Sequence, residues 1–291
     1  MSIGGHLREL RNRLFKAVLA IVTVTAVVAI WAYGPVSNFI TRPYCEIDPK
    51  HRVALNGGGR SCQLIYTGVT DAFTFRLKIA LLAGLILSAP VWLYQLWAFI
   101  APGLHRRERR YTYLFTATAS VLFALGAVLA YLTMSKGLEL LLSVGGQHLA
   151  ALLEVNKYFG YFVAMVLIFG VGFEFPLIVV SLNLVGILSS GRLRRSRRVV
   201  WFLIVLFAAV ATPSQDPFTM LALALPIIGL YEVAVVIARV HDGRKARREA
   251  DTPWRDLADD VASDLDIETR PAPHASPAPL VHAGRSGDDI T

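Results

Sequence analysis

The sequence predicts an all-α membrane protein with six transmembrane helices. Of its 291 residues, 55% are hydrophobic, and the mean hydropathy is +0.52. An α-helix needs about 20 apolar residues to cross the hydrocarbon core of a bilayer. The candidate spans are residues 14–33, 73–99, 113–134, 158–188 and 218–237, together with a shorter run at 199–211. The first run is too long for a cleavable signal peptide and is followed by no convincing cleavage site.

Basic residues cluster at alternate ends of these spans, which predicts the topology. Cytoplasmic loops of membrane proteins are enriched in Lys and Arg. The clusters fall at residues 8–16, 106–110, 192–198 and 239–248, whereas the intervening connections are poorer in bases. The connection at 34–72 carries four bases over a long outer loop, so its charge is dilute. We therefore expect both termini to be cytoplasmic and the number of spans to be even.

The run at 199–211 is short for a membrane span. Thirteen helical residues rise only about 20 Å. Basic clusters lie both before this run and after residue 238, so two crossings joined by a tight outer turn fit the charges. A re-entrant pair that enters and leaves on the cytoplasmic side is the alternative.

The segment after the last span differs in composition from the rest of the chain. It carries an acidic patch and is rich in Pro and Ala from Pro271 onward. Such a segment buries too little apolar surface to offset the entropy of ordering. We expect a membrane domain over 1–240 and a disordered cytoplasmic tail over 241–291.

Signatures of catalysis are missing from the sequence. All seven histidines lie outside the predicted spans, and no metalloprotease, serine hydrolase or phosphate-binding motif occurs. The sequence thus predicts no enzyme activity, no cofactor or metal, and no nucleic-acid partner.

The only two cysteines, Cys45 and Cys62, fall on the predicted first outer loop. An oxidising exterior permits a disulfide there, which would stabilise the loop by about 3 kcal/mol in the entropic model. Two unpaired thiols are the alternative.

Glu174 is the most unusual residue within a predicted span. A carboxylate at membrane depth is costly, and such residues face a cavity, a partner or the bundle interior. Pro176 removes a backbone donor two residues later, so we expect a kink. A functional groove residue and a protonated acid inside the bundle both fit this position.

Two further acids, Glu9 and Glu108, lie among arginines at cytoplasmic ends of spans. On a short amphipathic helix, Leu7, Leu10 and Leu14 share one side, and His6, Glu9 and Arg13 share the other. A local Glu9–Arg13 pair and charge balance around Glu108 explain each acid separately. Taken together, the two acids indicate a site for a cation, best an arginine, whose planar fork bonds a carboxylate bidentately.

Four segments resemble the signature segments of TatC, the multispanning receptor of the twin-arginine protein translocase. They are HLRELRNRL at 6–14, LSAPVWLYQLWAFIAPGLHRRERR at 87–110, FGVGFEFP at 169–176 and ATPSQDPFTM at 211–220. The resemblance runs from residue 6 to about residue 240, and the order and spacing of the segments agree.

The resemblance implies a six-span, glove-shaped bundle in the bacterial cytoplasmic membrane. It implies a receptor for paired-arginine signal peptides of folded cargo, driven by proton-motive force. It implies single-span TatA/TatB-like partner subunits, contact with lipid, and a homo-oligomer within the receptor complex. Glu9 and Glu108 would contact the arginines, with a supporting patch formed by Arg11, Trp97, Phe99, Pro102 and Leu104. Glu174 and Pro176 would line the intramembrane groove, and the two short spans would dock partners near Thr212 and Met220.

Two features depart from the family pattern. Met220 stands where the family often has a glutamine, which puts a partner contact through an amide in doubt. The cysteine-bearing loop, bracketed by Pro43 and Asp71, is longer than expected. A small-solute transporter, which needs several polar residues converging at mid-membrane, and a purely structural scaffold are the alternative functions.

Overall fold

The computed structural model describes residues 3–46, 64–100, 109–144, 153–214 and 216–250. These residues are almost entirely helical, as predicted. The chain separates into two compact units, Met1–Lys245 and Ala246–Thr291. Helix α1 spans Ile3–Val27 and continues through a π-helical segment, Val28–Ala32, into α2, Tyr33–Cys45.

The helical run at the N-terminus is therefore much longer than the predicted span 14–33. The prediction of a loop from residue 34 was wrong for residues 34–45. Pro35 lies in the first turn of α2, where a missing N–H does not interrupt the helix. The irregular backbone before α2 is stabilised from outside, because Arg76 Nη2 donates to the carbonyl oxygen of Ala29 at 3.2 Å.

The predicted span 73–99 is divided into two helices. Helix α3, Asp71–Leu87, and helix α4, Ala89–Ile100, meet at Ser88 with a bend of 55°. Pro90 explains the break, because it lacks an N–H and its ring would clash with the carbonyl four residues earlier. The indole N–H of Trp92 donates to the Leu85 carbonyl at 3.0 Å and so covers part of the exposed backbone.

The next two helices form the centre of the fold. Helix α5, Arg109–Val144, and helix α6, Val155–Leu184, share the most extensive helix–helix contact. Gly126 permits their close approach, because a Cβ there would lie 2.6 Å from the Phe169 carbonyl oxygen. Both helices differ from the prediction: α5 runs ten residues past 134, and α6 ends at Leu184, before residue 188.

Gly186 explains the early end of α6. It adopts a positive φ of 86°, and the amides of Gly186 and Ile187 donate to the carbonyls of Asn183 and Leu182. This is the hydrogen-bond pattern of a Schellman cap. A six-residue helix, α7 (Ser190–Arg195), follows, with Leu193 buried.

The last two helices are α8, Arg197–Ala211, and α9, Pro217–Ala250. Helix α9 continues well beyond the predicted span 218–237, so the expectation of disorder was wrong for residues 241–250. The predicted tail at 251–291 lies outside the described residues.

Four helical segments and the bent pair α3–α4 are long and apolar enough to cross a membrane, which gives up to five spans in the described part of the chain. Helix α8, with 15 residues, rises only about 22 Å and does not reach this length. The prediction of several apolar spans is confirmed, whereas the sixth crossing stays a prediction.

Candidate functional site

An apolar cavity of about 340 Å³ opens between α1 and α4. Helix α1 contributes the cavity face that includes Leu10, Leu14 and Ile21, and α4 contributes Trp92, Leu96 and Phe99. Leu167 and Val171 of α6 are also among the lining residues. Its size and lining suit an apolar ligand, because binding sites of this kind combine an apolar wall with a few polar groups.

Two polar side chains line this cavity in the described part of the chain, Arg13 and Gln95. Arg13 forms an ion pair with Glu9. Its Nη2 and Nε donate to Oε1 of Glu9 at 2.7 and 3.0 Å. The predicted local pair four residues apart on one helix is thus formed. Arg11, on the same helix, is exposed.

The predicted patch residues of α4 take different positions. Phe99 lines the cavity. Trp97 is buried in the apolar cluster behind it, with Leu93, Phe115 and Phe123, and its ring lies 5.4 Å from that of Phe115. Pro102, Leu104 and Glu108 lie outside the described residues, so their predicted roles stay predictions.

Glu174 is buried in the middle of α6, with 7% of its surface exposed. Neither carboxylate oxygen nor the indole nitrogen of Trp97 completes a hydrogen bond with the described residues. The indole nevertheless lies close enough to interact with the carboxyl group. Glu174 follows the cavity residues Leu167 and Val171 at helical spacing, so the three belong to one stripe of α6. Helix α6 continues through Pro176.

The turn between α8 and α9 is held by hydrogen bonds. Thr212, buried, donates its hydroxyl to the Ala208 carbonyl at 2.9 Å. Asp216 accepts the backbone N–H of Thr219 at 2.8 Å. Burial raises the pKa of Asp216, but hydrogen bonds from Ser214 and Thr219 lower it more, so the pKa lies below the ordinary 3.8. Met220 packs, partly buried, against the main core.

Cys45 ends α2 and is not a free thiol. Its expected partner, Cys62, lies outside the described residues. The disulfide between them therefore stays a prediction.

Three polar contacts between distant parts of the chain were missed by the sequence analysis. Arg197 pairs with Glu232 at 2.5 Å. Asp242 accepts the Ser190 amide at 2.7 Å and the Asn183 side-chain amide at 3.0 Å. The positions of the acids near basic clusters were visible in the sequence, but their partners, far away in the chain, were not.

Comparison with known proteins identifies the family of this chain. A family model for the Sec-independent protein translocase protein (TatC) matches residues 5–226. The chain belongs to the TatC family. The resemblance predicted from the four sequence segments is thereby confirmed.

Individual relatives cover most of the chain. It is 50% identical over 285 residues to TatC of Frankia casuarinae, in a match that covers 98% of this chain and 77% of the relative. Against TatC of Corynebacterium kroppenstedtii the identity is 39% over 294 residues, covering 96% and 69%. The crystal structure of the twin-arginine translocase receptor TatC in DDM superposes with a TM-score of 0.65 at 29% identity, covering 80% of this chain and 99% of that one.

Membership of the TatC family makes this chain a component of the twin-arginine protein translocase, working in transport with other Tat subunits. Its apolar helices are those of a multi-pass membrane protein.

Proposed function

We propose that this TatC-family chain is the signal-peptide receptor of its translocase and binds paired-arginine signal peptides of folded cargo. The cavity between α1 and α4 carries the proposal. It joins an apolar wall to a side chain, Arg13, whose partner is the carboxylate of Glu9. A signal peptide has the matching order of chemistry, with arginines followed by an apolar segment.

Glu9 and Glu108 act together as the receptor for the arginine pair. A carboxylate is the natural partner of a guanidinium, because two parallel N–H donors fit its two oxygens. Arg11, Pro102 and Leu104 support this patch. Phe99, which lines the cavity, contacts the start of the apolar segment.

Glu174 and Pro176 belong to the intramembrane groove in which the inserted peptide or a partner helix packs. A buried carboxyl group without a hydrogen-bond partner among the described residues is costly in an apolar setting. A polar group on an incoming helix would lower that cost.

Membership of the TatC family supports the remaining assignments of this proposal. The chain crosses the bacterial cytoplasmic membrane six times, with both termini inside and a concave face, and contacts lipid. Helices α8 and α9 dock TatA/TatB-like subunits near Thr212 and Met220. The receptor complex contains several copies of the chain, and proton-motive force drives transport. Residues 1–240 form the receptor domain, helix α9 continues past its end to Ala250, and the tail is accessory.

Crosslinking of a signal peptide tests the binding site. A photoreactive paired-arginine signal peptide should crosslink to the wild-type chain in membranes. Glu9→Lys and Glu108→Lys should each abolish the crosslink at unchanged protein level, because a lysine repels the arginines. Undiminished crosslinking in both single variants and in the double variant would falsify the proposal.

Export of a folded reporter separates the proposal from its alternatives. In a strain that lacks its own receptor, this chain should restore export of a folded twin-arginine reporter. A solute transporter would restore nothing, and a scaffold would restore export equally well with both acids replaced.

Labelling tests the topology. A cysteine placed at Gln215 in a cysteine-free chain should react with a membrane-impermeant reagent added outside intact cells. Reaction only after lysis would show that α8 and α9 form a re-entrant pair.

A further inference from the structure

Glu9 already holds an arginine in the ligand-free chain. Arg13 directs both Nε and Nη2 at the same oxygen, Oε1, at 3.0 and 2.7 Å. Both side chains are partly buried, with exposed fractions of 25% for Arg13 and 35% for Glu9. Partial removal from water strengthens such a pair compared with one on an open surface.

Arg13 also stands on the cavity side of this pair. It is the one charged residue among the described side chains that line the cavity, and Glu9 is not among them. A guanidinium that reaches Glu9 from the cavity therefore meets Arg13 first. Both groups are cations, so they repel each other and compete for the same carboxylate.

We propose that Arg13 is an internal competitor for the ligand's arginine, which occupies Glu9 until a signal peptide displaces it. The inference rests on the proposed function, because it takes Glu9 to be a contact of that arginine. Exchange of one guanidinium for another changes the contact with Glu9 very little. The net gain on binding then comes from the ligand's other groups, the second arginine and the apolar segment that fills the cavity.

The same competitor protects the empty site. An uncompensated carboxylate at the edge of an apolar cavity would attract any passing cation and would be costly to desolvate. With Arg13 in place, every ligand of Glu9 loses affinity by the same factor. Ligands that offer only a single positive charge therefore bind Glu9 too weakly to occupy it, whereas a ligand with additional contacts still binds.

The interaction energy of the competing Glu9–Arg13 pair is modest, so the expected change in peptide affinity is small but measurable. Pairs at this spacing on exposed helices correspond to about a twofold change in an equilibrium constant. Partial burial increases that value, so removal of the competitor should raise peptide affinity about two- to fivefold.

The experiment compares five full-length proteins in lipid nanodiscs. A fluorescent synthetic peptide with paired arginines followed by an apolar segment is titrated onto the wild-type chain and onto Arg13→Gln. Lys16→Gln is the matched control. It removes the same charge from an exposed side chain of α1 that lies three residues after Arg13. Glu9→Gln combined with Arg13→Gln completes the set, with Glu9→Gln as its reference.

The proposal expects Arg13→Gln to bind the peptide about two- to fivefold more tightly than Lys16→Gln does. That advantage should vanish when Glu9 is already Gln, since the competition acts only through Glu9. Equal affinity in Arg13→Gln and Lys16→Gln would reduce Arg13 to a general charge and overturn the proposal. Weaker binding in Arg13→Gln would overturn it too, and would show that Arg13 orients Glu9 for the ligand.

Failure of the proposed function has a different signature. In that case the wild-type chain would bind the paired-arginine peptide no better than a peptide in which lysines replace both arginines. Glu9→Gln would then change the affinity for neither peptide. The inference alone fails when wild-type binding depends on arginine and Glu9 while Arg13→Gln brings no gain over Lys16→Gln.

Discussion

Arg197 and Glu232 join helices α8 and α9 through a salt bridge of 2.5 Å. The second carboxylate oxygen of Glu232 accepts the indole N–H of Trp201, one turn further along α8, at 3.2 Å. Glu232 therefore ties two points of α8 to α9. These contacts act together with Ile204 and Ala208, the residues of α8 that are buried in the main core.

Glu232→Gln should destabilise the protein by about 1 kcal/mol or more, because Arg197 would be left partly buried without its counter-ion. This value is smaller than for a fully buried pair, because the side chains of Arg197 and Glu232 are both partly exposed. The measurement is the fraction of protein that stays folded after heating in detergent. Glu46→Gln is the control, since its pair with Arg42 is exposed and its loss should change little. Equal losses in both variants would contradict the assignment.

Gly126→Val should impair folding, because its side chain would push against the Phe169 backbone at the crossing of α5 and α6. A backbone contact cannot yield as a flexible side chain can, so the two helices must separate. Gly160→Ala on α6 is the matched control, since a Cβ there meets nothing within 4 Å. Yield and monodispersity after purification should fall only for Gly126→Val.

Asp216→Asn should remove a pH-dependent part of the stability. The folded-state pKa of Asp216 is lowered below 3.8, so its ionised form stabilises the fold at higher pH. This contribution is lost as the pH falls from 3.8 through the lower folded-state pKa. Melting curves of the wild-type chain and of Asp216→Asn should therefore differ at pH 6 and converge in strong acid. A constant difference across this range would show that Asp216 acts through packing alone.

Glu174→Ala should spare peptide recognition and impair a later step of assembly, because the proposed function places Glu174 in the intramembrane groove and the arginine contact at Glu9. Peptide crosslinking measures recognition, and co-purification of the partner subunits measures assembly. Glu174→Gln keeps the volume and serves as the control for a cavity effect. Equal loss of recognition in Glu174→Ala would show the groove assignment to be wrong.

The helical class and the Glu9–Arg13 pair could be predicted because both rest on local patterns. Apolar length identifies spans, and a spacing of four residues brings an acid and a base together on one helix. The Arg197–Glu232 contact could not be predicted, since it joins positions 35 residues apart through the packing of two helices.

Helix ends were predicted less well than helix existence. The predicted first span ended at residue 33, but the helix continues, and Pro35 lies in the first turn of α2, where a missing N–H does not interrupt it. Pro90 indicated the break between α3 and α4, but the continuous apolar run around it favoured a single span. The proximity of Trp97 to Glu174 depends on how α4 and α6 pack, and no spacing within either helix indicates it.

The hydrogen bonds of Asp242 set the shortest chain that should be stable. Asp242 ties α9 to Ser190 and Asn183, and it lies two residues beyond the boundary that the sequence predicted. A chain cut after residue 240 would leave the Ser190 amide without its acceptor, whereas one cut after Lys245 keeps it. We therefore expect the chain that ends at residue 245 to match the full chain in thermal stability, and the chain that ends at residue 240 to be less stable. Fusion partners attached at the C-terminus should accordingly begin after residue 245.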